Sequence, residues 1–191
     1  MDYKNVLFVH VPKTGGTSIR HVLASKGMDN WRRDPKFIHH DSLINLEKSN
    51  NIPEDTYKFS VVRNPYTRNF SYYKHFKRIN GIELSFYDFA IILHDLKLFS
   101  RNPMIPYTQS YYLVNSEGLI SLDKIYKFEN LSEFENDFGV KLPYLNRGGY
   151  SKDEYEHAYS DNRVKNFVKQ KYLNDFINFG YSLEFESSLE M

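Results

Sequence analysis

The chain has 191 residues, 41% of them hydrophobic and 17% aromatic, which suits one domain with a core filled largely by rings. It holds no cysteine, so disulfides and thiolate metal sites are excluded, and a net charge of +1 argues against a nucleic-acid partner. No apolar run approaches the ~20 residues of a membrane span, and MDYKNVLFVHVPK lacks a signal peptide's long apolar segment, so the expectation is a soluble, cytoplasmic protein.

Residues 6–11 read as a buried strand, with β-branched Val6, Val9 and Val11. Pro12 to Ser18 form a glycine-containing turn. Ile19, Val22 and Leu23 then recur at helical spacing, with Gly27 as the stop. A short helix is expected over 41–49, a loop over 50–56 and a second strand over 57–62. Residues 66–79 predict a helix closed by Gly81, and 85–98 another, opened by a Ser85–Asp88 capping box. Pro103 and Pro106 break the chain. Residues 124–128 predict a strand, and Asn130 with Glu133 caps a short helix ending at Gly139. A loop over 142–153 and a last helix over 161–179 complete the chain. Strands alternating with helices predict a three-layer α/β domain spanning 1–191, with a central, mainly parallel sheet flanked by helices.

The turn His10-Val11-Pro12-Lys13-Thr14-Gly15-Gly16-Thr17-Ser18 joins a strand to a helix. The first N–H groups of a helix lack internal partners, and the helix dipole is positive there. Glycines let the backbone approach an anion closely. Lys13 adds a charge, and Thr14, Thr17 and Ser18 add hydroxyls, so the unit suits a phosphate or phosphosulfate. A plain βα turn with an exposed lysine has the same local pattern. It is not a Walker A loop, because Lys13 precedes the glycines.

The second strand ends in Arg63-Asn64-Pro65-Tyr66-Thr67-Arg68-Asn69-Phe70-Ser71. Strand ends are where open α/β sheets bind ligands, and an arginine fork matches phosphate oxygens. Arg68 reads instead as structural.

PKTGGTS followed by RNPYTRNFSYY resembles the paired motifs of sulfotransferases that use 3′-phosphoadenosine-5′-phosphosulfate (PAPS). The branch it resembles includes heparan sulfate 2-O-sulfotransferases and small bacterial members. YKFENL at 126–131, LPYLNR at 142–147 and FGY at 179–181 extend the likeness along the chain. The resemblance implies a P-loop-like sulfotransferase fold and transfer of a sulfuryl group from PAPS to an acceptor hydroxyl, of a carbohydrate above all. It implies that Lys13 contacts the bridging and sulfuryl oxygens. Thr14, Gly15, Gly16, Thr17 and Ser18 hold the 5′-phosphate, Arg63 and Ser71 the 3′-phosphate, and Arg147 adds to the phosphates. It implies no metal.

Between the motifs lies Phe37-Ile38-His39-His40-Asp41-Ser42-Leu43. In the sulfotransferases it resembles, a histidine followed by a short polar stretch acts as general base here. The position matches His40, with His39 in reserve. A surface histidine or a helix-cap neighbour of Asp41 would look the same. His10 is expected to be buried at the strand end and His75 to lie on a helix surface. Lys74, Lys77, Arg78, Lys97 and Arg101, with Tyr72, Tyr73, Tyr107, Tyr111 and Tyr112, are candidates for the acceptor side. Two other readings share the pattern. One is a P-loop-type nucleotide or small-molecule kinase, against which the displaced Lys13 argues. The other is a catalytically silent nucleotide-binding module.

Overall fold

A computed structural model of the chain describes residues 5–27, 40–49, 52–92, 107–143 and 149–187. It forms two compact units. One comprises Met1–Val62 and Gln109–Arg147, the other Arg63–Thr108 and Gly148–Met191.

The first unit is built on a parallel three-stranded sheet. Its strands are β1 (Val6–Val9), β2 (Tyr57–Val62) and β3 (Lys124–Lys127), in that spatial order. Val6 pairs with Tyr57 and Val9 with Ser60, while Phe59 pairs with Lys124 and Val62 with Lys127. The last four residues of β2 are all buried, as a central parallel strand requires. Helix α1 (Gly16–Ser25) buries Ile19, Val22 and Leu23, one face at i, i+3 and i+4 spacing. The short helices α2 (Leu43–Ser49) and α4 (Gln109–Leu113) pack on each other. Helix α5 (Leu131–Phe138) buries Phe134 and Phe138, and Gly139 ends it at φ +59°. Phe59 lies at the centre of this core, its ring 5.0 to 5.9 Å from those of Phe8, Tyr126, Phe134 and Phe138. Fully burying one such ring contributes ~1.5–3 kcal/mol.

The second unit is helical, with α3 (Pro65–Asn80), a π-helical turn at Asp88–Ile92, α6 (Lys152–Ala158), α7 (Asn162–Lys171) and α8 (Leu173–Asn178). Asn64 caps α3 by accepting from the Tyr66 N–H, and Pro65 fills the first helical position, where a missing N–H costs nothing. The core is a stack of rings, including Tyr66, Phe70, Phe86, Tyr155, Tyr159 and Phe176. Two of its hydroxyls are tied to backbone carbonyls: Tyr66 donates to Leu183 at 2.9 Å and Tyr159 to Tyr66 at 2.7 Å.

Several expectations needed correction. The helix expected over 161–179 is two helices. Tyr172 leaves helical geometry at φ −105° and ψ 21°, and its carbonyl takes the N–H groups of Asp175 and Phe176. This bend accompanies full burial of both Tyr172 and Phe176. The loop expected over 142–153 is present at 142–143 and 149–151, while 144–148 lie outside the described residues; helix α6, which was not expected, takes over from Lys152 and starts from a complete capping box between Ser151 and Glu154. Helix α4 was not expected either. Asn130 stands at the N-cap of α5 as expected, but its side chain makes no capping hydrogen bond; it accepts from the Ser132 hydroxyl at 2.6 Å, and Glu133 pairs with Lys124 at 2.6 Å. The Ser85–Asp88 cap is present, while residues 93–98 of the helix expected there lie outside the described residues. Among the described residues no helix is long and apolar enough to cross a membrane.

Candidate functional site

In the first unit, β1 stops at Val9 and α1 begins at Gly16, so the lysine–glycine turn lies between them. Lys13 sits at φ +70° and Gly15 at φ +80°. For lysine that left-handed geometry costs ~1–2 kcal/mol, and glycine adopts it freely. Gly15 is the N-cap of α1 and offers no side chain to its amides. Its carbonyl accepts from the N–H groups of Ser18 and Ile19 at 3.1 and 3.4 Å, which closes the first turn. The N–H groups of Gly16 and Thr17 come before that turn and have no acceptor within the helix. Amides at such a helix start carry the positive end of the helix dipole.

The loop is held from two sides. A Cβ on Gly15 would meet the Phe128 ring at 3.1 Å and the Leu131 side chain at 3.7 Å. A Cβ on Gly16 would lie 1.8 Å from Nε2 of His10. The His10 imidazole therefore occupies the space that any side chain at position 16 would fill. The Thr14 hydroxyl, expected to face a ligand, is buried and donates to the Val11 carbonyl at 2.8 Å, so it braces the turn. Thr17 is exposed and Ser18 is buried.

His40 precedes α2 and meets the end of β1 across 30 residues of chain. Its Nδ1 is 3.4 Å from the His10 carbonyl, and the two rings are 4.3 Å apart, tilted by 52°. His10 also stacks on Phe8 at 5.4 Å. Oδ1 of Asp41 accepts from the Ser42 N–H at 2.9 Å and from Asn45 Nδ2 at 2.6 Å, at the start of α2. His39 lies outside the described residues.

In the second unit, Arg63 follows β2 directly and is buried, with 6% of its surface exposed. Its Nε donates to the Thr67 hydroxyl at 3.1 Å and its Nη2 to the Tyr150 hydroxyl at 2.9 Å. Thr67 in turn donates to the Asn64 carbonyl at 3.1 Å. Ser71 is half-buried one turn beyond Thr67, on the same helix face. Arg147 lies outside the described residues. Thr67 and Tyr150 were missed as partners of Arg63. The i, i+4 spacing of Arg63 and Thr67 was available as a signal; the Tyr150 contact spans 87 residues and had none.

Arg68 is structural, as expected: it is buried, donates to the Tyr107 carbonyl at 3.0 Å and lies over the Tyr72 ring. Among the acceptor candidates, Lys74 pairs with Glu154 at 2.9 Å, Lys77 with Glu83, and Arg78 contacts His75. Lys74 and the Ser151 N–H hold the Glu154 carboxyl below its ordinary value. Tyr72 and Tyr112 are core residues, not stacking platforms, while Tyr107 and Tyr111 are exposed. Tyr73 is half-buried and donates to the Leu84 carbonyl. Lys97 and Arg101 lie outside the described residues. Burial, with a smaller contribution from Glu184, pushes the Tyr66 hydroxyl up to about 12, so it stays a neutral donor.

The model of the Sulfotransferase family matches residues 1–110, more than half of the chain. That stretch carries the Lys13–Ser18 turn, His40, and Arg63 through Ser71. No curated protein and no solved structure matches the chain significantly.

Proposed function

The chain belongs to the sulfotransferase family, and from that premise we propose that it moves the sulfuryl group of PAPS to a hydroxyl of a carbohydrate acceptor. We assign it the family's three-layer, P-loop-like arrangement. The observation that carries the proposal is the β1-to-α1 turn. Two left-handed residues, Lys13 and Gly15, lead into an uncapped helix start from which a side chain at position 16 is excluded. Such a turn fits a phosphosulfate, because an uncapped helix start offers backbone donors and a positive dipole end beside a lysine in the same short turn.

PAPS, when bound, supplies the activated sulfuryl group and a phosphate leaving group. The amides of Gly16 and Thr17, with Thr14, Gly15 and Ser18 in the same turn, hold the 5′-phosphate. Lys13 offsets the charge that builds on the departing phosphate oxygen. Arg63, kept in place by Thr67 and Tyr150, binds the 3′-phosphate with Ser71, and Arg147 adds to the phosphates. Each charge-assisted hydrogen bond contributes ~1.5–3 kcal/mol, so a few of them hold a multiply charged nucleotide on a nearly neutral chain. His40 takes the proton of the acceptor hydroxyl as the new oxygen–sulfur bond forms and the bond to the leaving phosphate breaks.

Thermal-shift measurements test the donor. 3′-Phosphoadenosine-5′-phosphate is expected to stabilise the protein, by ~2.7 kcal/mol at a hundred times its Kd, and ATP with Mg²⁺ is not. Stabilisation by ATP alone would overturn the assignment. Radiolabelled PAPS offered to an array of glycans, small alcohols and tyrosine peptides tests the acceptor. Label on the glycans is expected, and label on the peptides alone would refute the carbohydrate reading.

A further inference from the structure

We propose that His10 is a positioning residue for His40. It holds that imidazole in the tautomer with the proton on Nδ1, which leaves Nε2 as the basic nitrogen. The proposal rests on the reading of His40 as general base and adds what sets its state.

Phe8, Gly16 and His40 line the His10 ring. Phe8 stacks on it at 5.4 Å with planes 21° apart, and Phe8 is itself stacked on the buried Phe59 at 5.0 Å. Gly16 underlies its Nε2 edge, so closely that no other residue type leaves room for the ring. His40 lies against it at 4.3 Å. The sheet core and the start of α1 thus form a seat for His10, and His10 forms a wall for His40.

The carbonyl of the same residue supplies the second half of the device. It lies 3.4 Å from His40 Nδ1, a long contact of the kind that tightens when a site is loaded. A carbonyl can only accept, so the nitrogen facing it carries the proton. The neutral ring then has its lone pair on Nε2, and that nitrogen can take a proton. Asp41, the next residue, serves the start of α2, where its Oδ1 accepts from the Ser42 N–H and from Asn45 Nδ2. Ring and carbonyl of one residue therefore set both the orientation and the tautomer of His40.

The deciding measurement is side-chain ¹⁵N NMR of the full chain above the imidazole titration range. His40 is expected as the Nδ1–H tautomer, and an Nε2–H tautomer would overturn the proposal. His10→Ala removes the wall and keeps the carbonyl. It is expected to lower kcat ~10-fold, with KM for the donor unchanged and the His40 tautomer mixed. His10→Phe restores a ring without a nitrogen, and turnover should return to within ~2–3-fold of the parent, because packing is what the ring supplies. Unchanged kcat in His10→Ala would refute the positioning role. Equal losses in the Ala and Phe variants would refute it too, by making the His10 nitrogen essential. If His10→Ala does not fold by circular dichroism, the parent tautomer and His10→Phe decide alone. Near-normal turnover in His40→Ala, where a loss of ~10²–10⁴-fold is expected, would remove His40 as the base. The His40 tautomer and its dependence on His10 would still be read separately.

Discussion

Gly16→Ala isolates the packing between the proposed anion loop and His10. An added Cβ would sit 1.8 Å from His10 Nε2, and the ring must retreat by about 1.6 Å to regain ordinary contact at 3.4 Å. Retreat is resisted, because Phe8 and His40 already line the ring at 5.4 and 4.3 Å. Overpacking of this kind costs ~1–3 kcal/mol. Replacing glycine within a helix returns up to ~1 kcal/mol, less in the first turn. The net expectation is a loss of ~1–2 kcal/mol, a fall in Tm of ~2–8 °C for a chain of this size. Urea unfolding followed by circular dichroism measures it. The same substitution in a His10→Ala background no longer meets the ring atoms that stand nearest to the new Cβ, so its cost should vanish or turn into a small gain. The difference between backgrounds is the coupling energy, expected at ~1–3 kcal/mol. An equal loss in both backgrounds, or none in the parent, would refute the seat assigned to His10.

Lys13→Gly and Lys13→Ala should weaken 3′-phosphoadenosine-5′-phosphate equally, by ~10–100-fold in titration calorimetry, since both remove one charge-assisted bond. They should differ in stability: the backbone at φ +70° favours glycine, so Lys13→Gly should be the more stable by ~1 kcal/mol in urea, and equal stabilities would refute the strain. Tyr150→Phe removes an acceptor from buried Arg63 while its ring can still pack on Phe70, and should cost ~1 kcal/mol and several-fold in nucleotide affinity; unchanged affinity would detach Tyr150 from the site. In acid, three carboxylates act together. Glu135 is held below its ordinary value by the Leu142 N–H and then Lys141, Glu154 by Lys74 and then the Ser151 N–H, and Asp161 by Arg163. Their folded values lie below the unfolded ones of ~4, so their stabilisation is present above that pH and lost as pH falls through the folded values. The urea midpoint should be flat from about pH 7 to 5 and fall below about 4, and Glu154→Gln should shallow that fall, modestly because the pair is exposed.

Local signals carried most of the fold. The 57–62 strand was readable because Tyr57, Phe59, Val61 and Val62 concentrate aromatic and β-branched residues in six positions, and the 66–79 helix because Asn64-Pro65 precedes it and Gly81 closes it. Each of these signals lies within a few residues of the feature it marks. Where the structure departs from expectation, the deciding partner lies elsewhere. Helix α6 has a polar sequence, with Tyr155 its only buried residue, so periodicity could not reveal it, although the Ser151–Glu154 box was there to be read. The break at Tyr172 follows from two rings entering one core, which spacing along a single helix does not encode.

The candidate site divides in the same way. The lysine–glycine turn is local, and its residues were named from spacing alone. The contacts that give those residues their states are not local. His10 meets His40 across 30 residues, Arg63 meets Tyr150 across 87, and Phe128 closes on Gly15 from the far end of β3. A motif therefore names the groups that touch a ligand, whereas their tautomer, strain and orientation are set by neighbours that the motif omits. Gly16 is the informative exception. Read as a motif glycine, it serves an anion; in the structure its missing side chain is already spent on His10. The same absence seats the wall of His40 and, on the proposed function, leaves the neighbouring amide to a phosphate. For that reason one added methyl group at position 16 is expected to disturb nucleotide binding and the state of the base together.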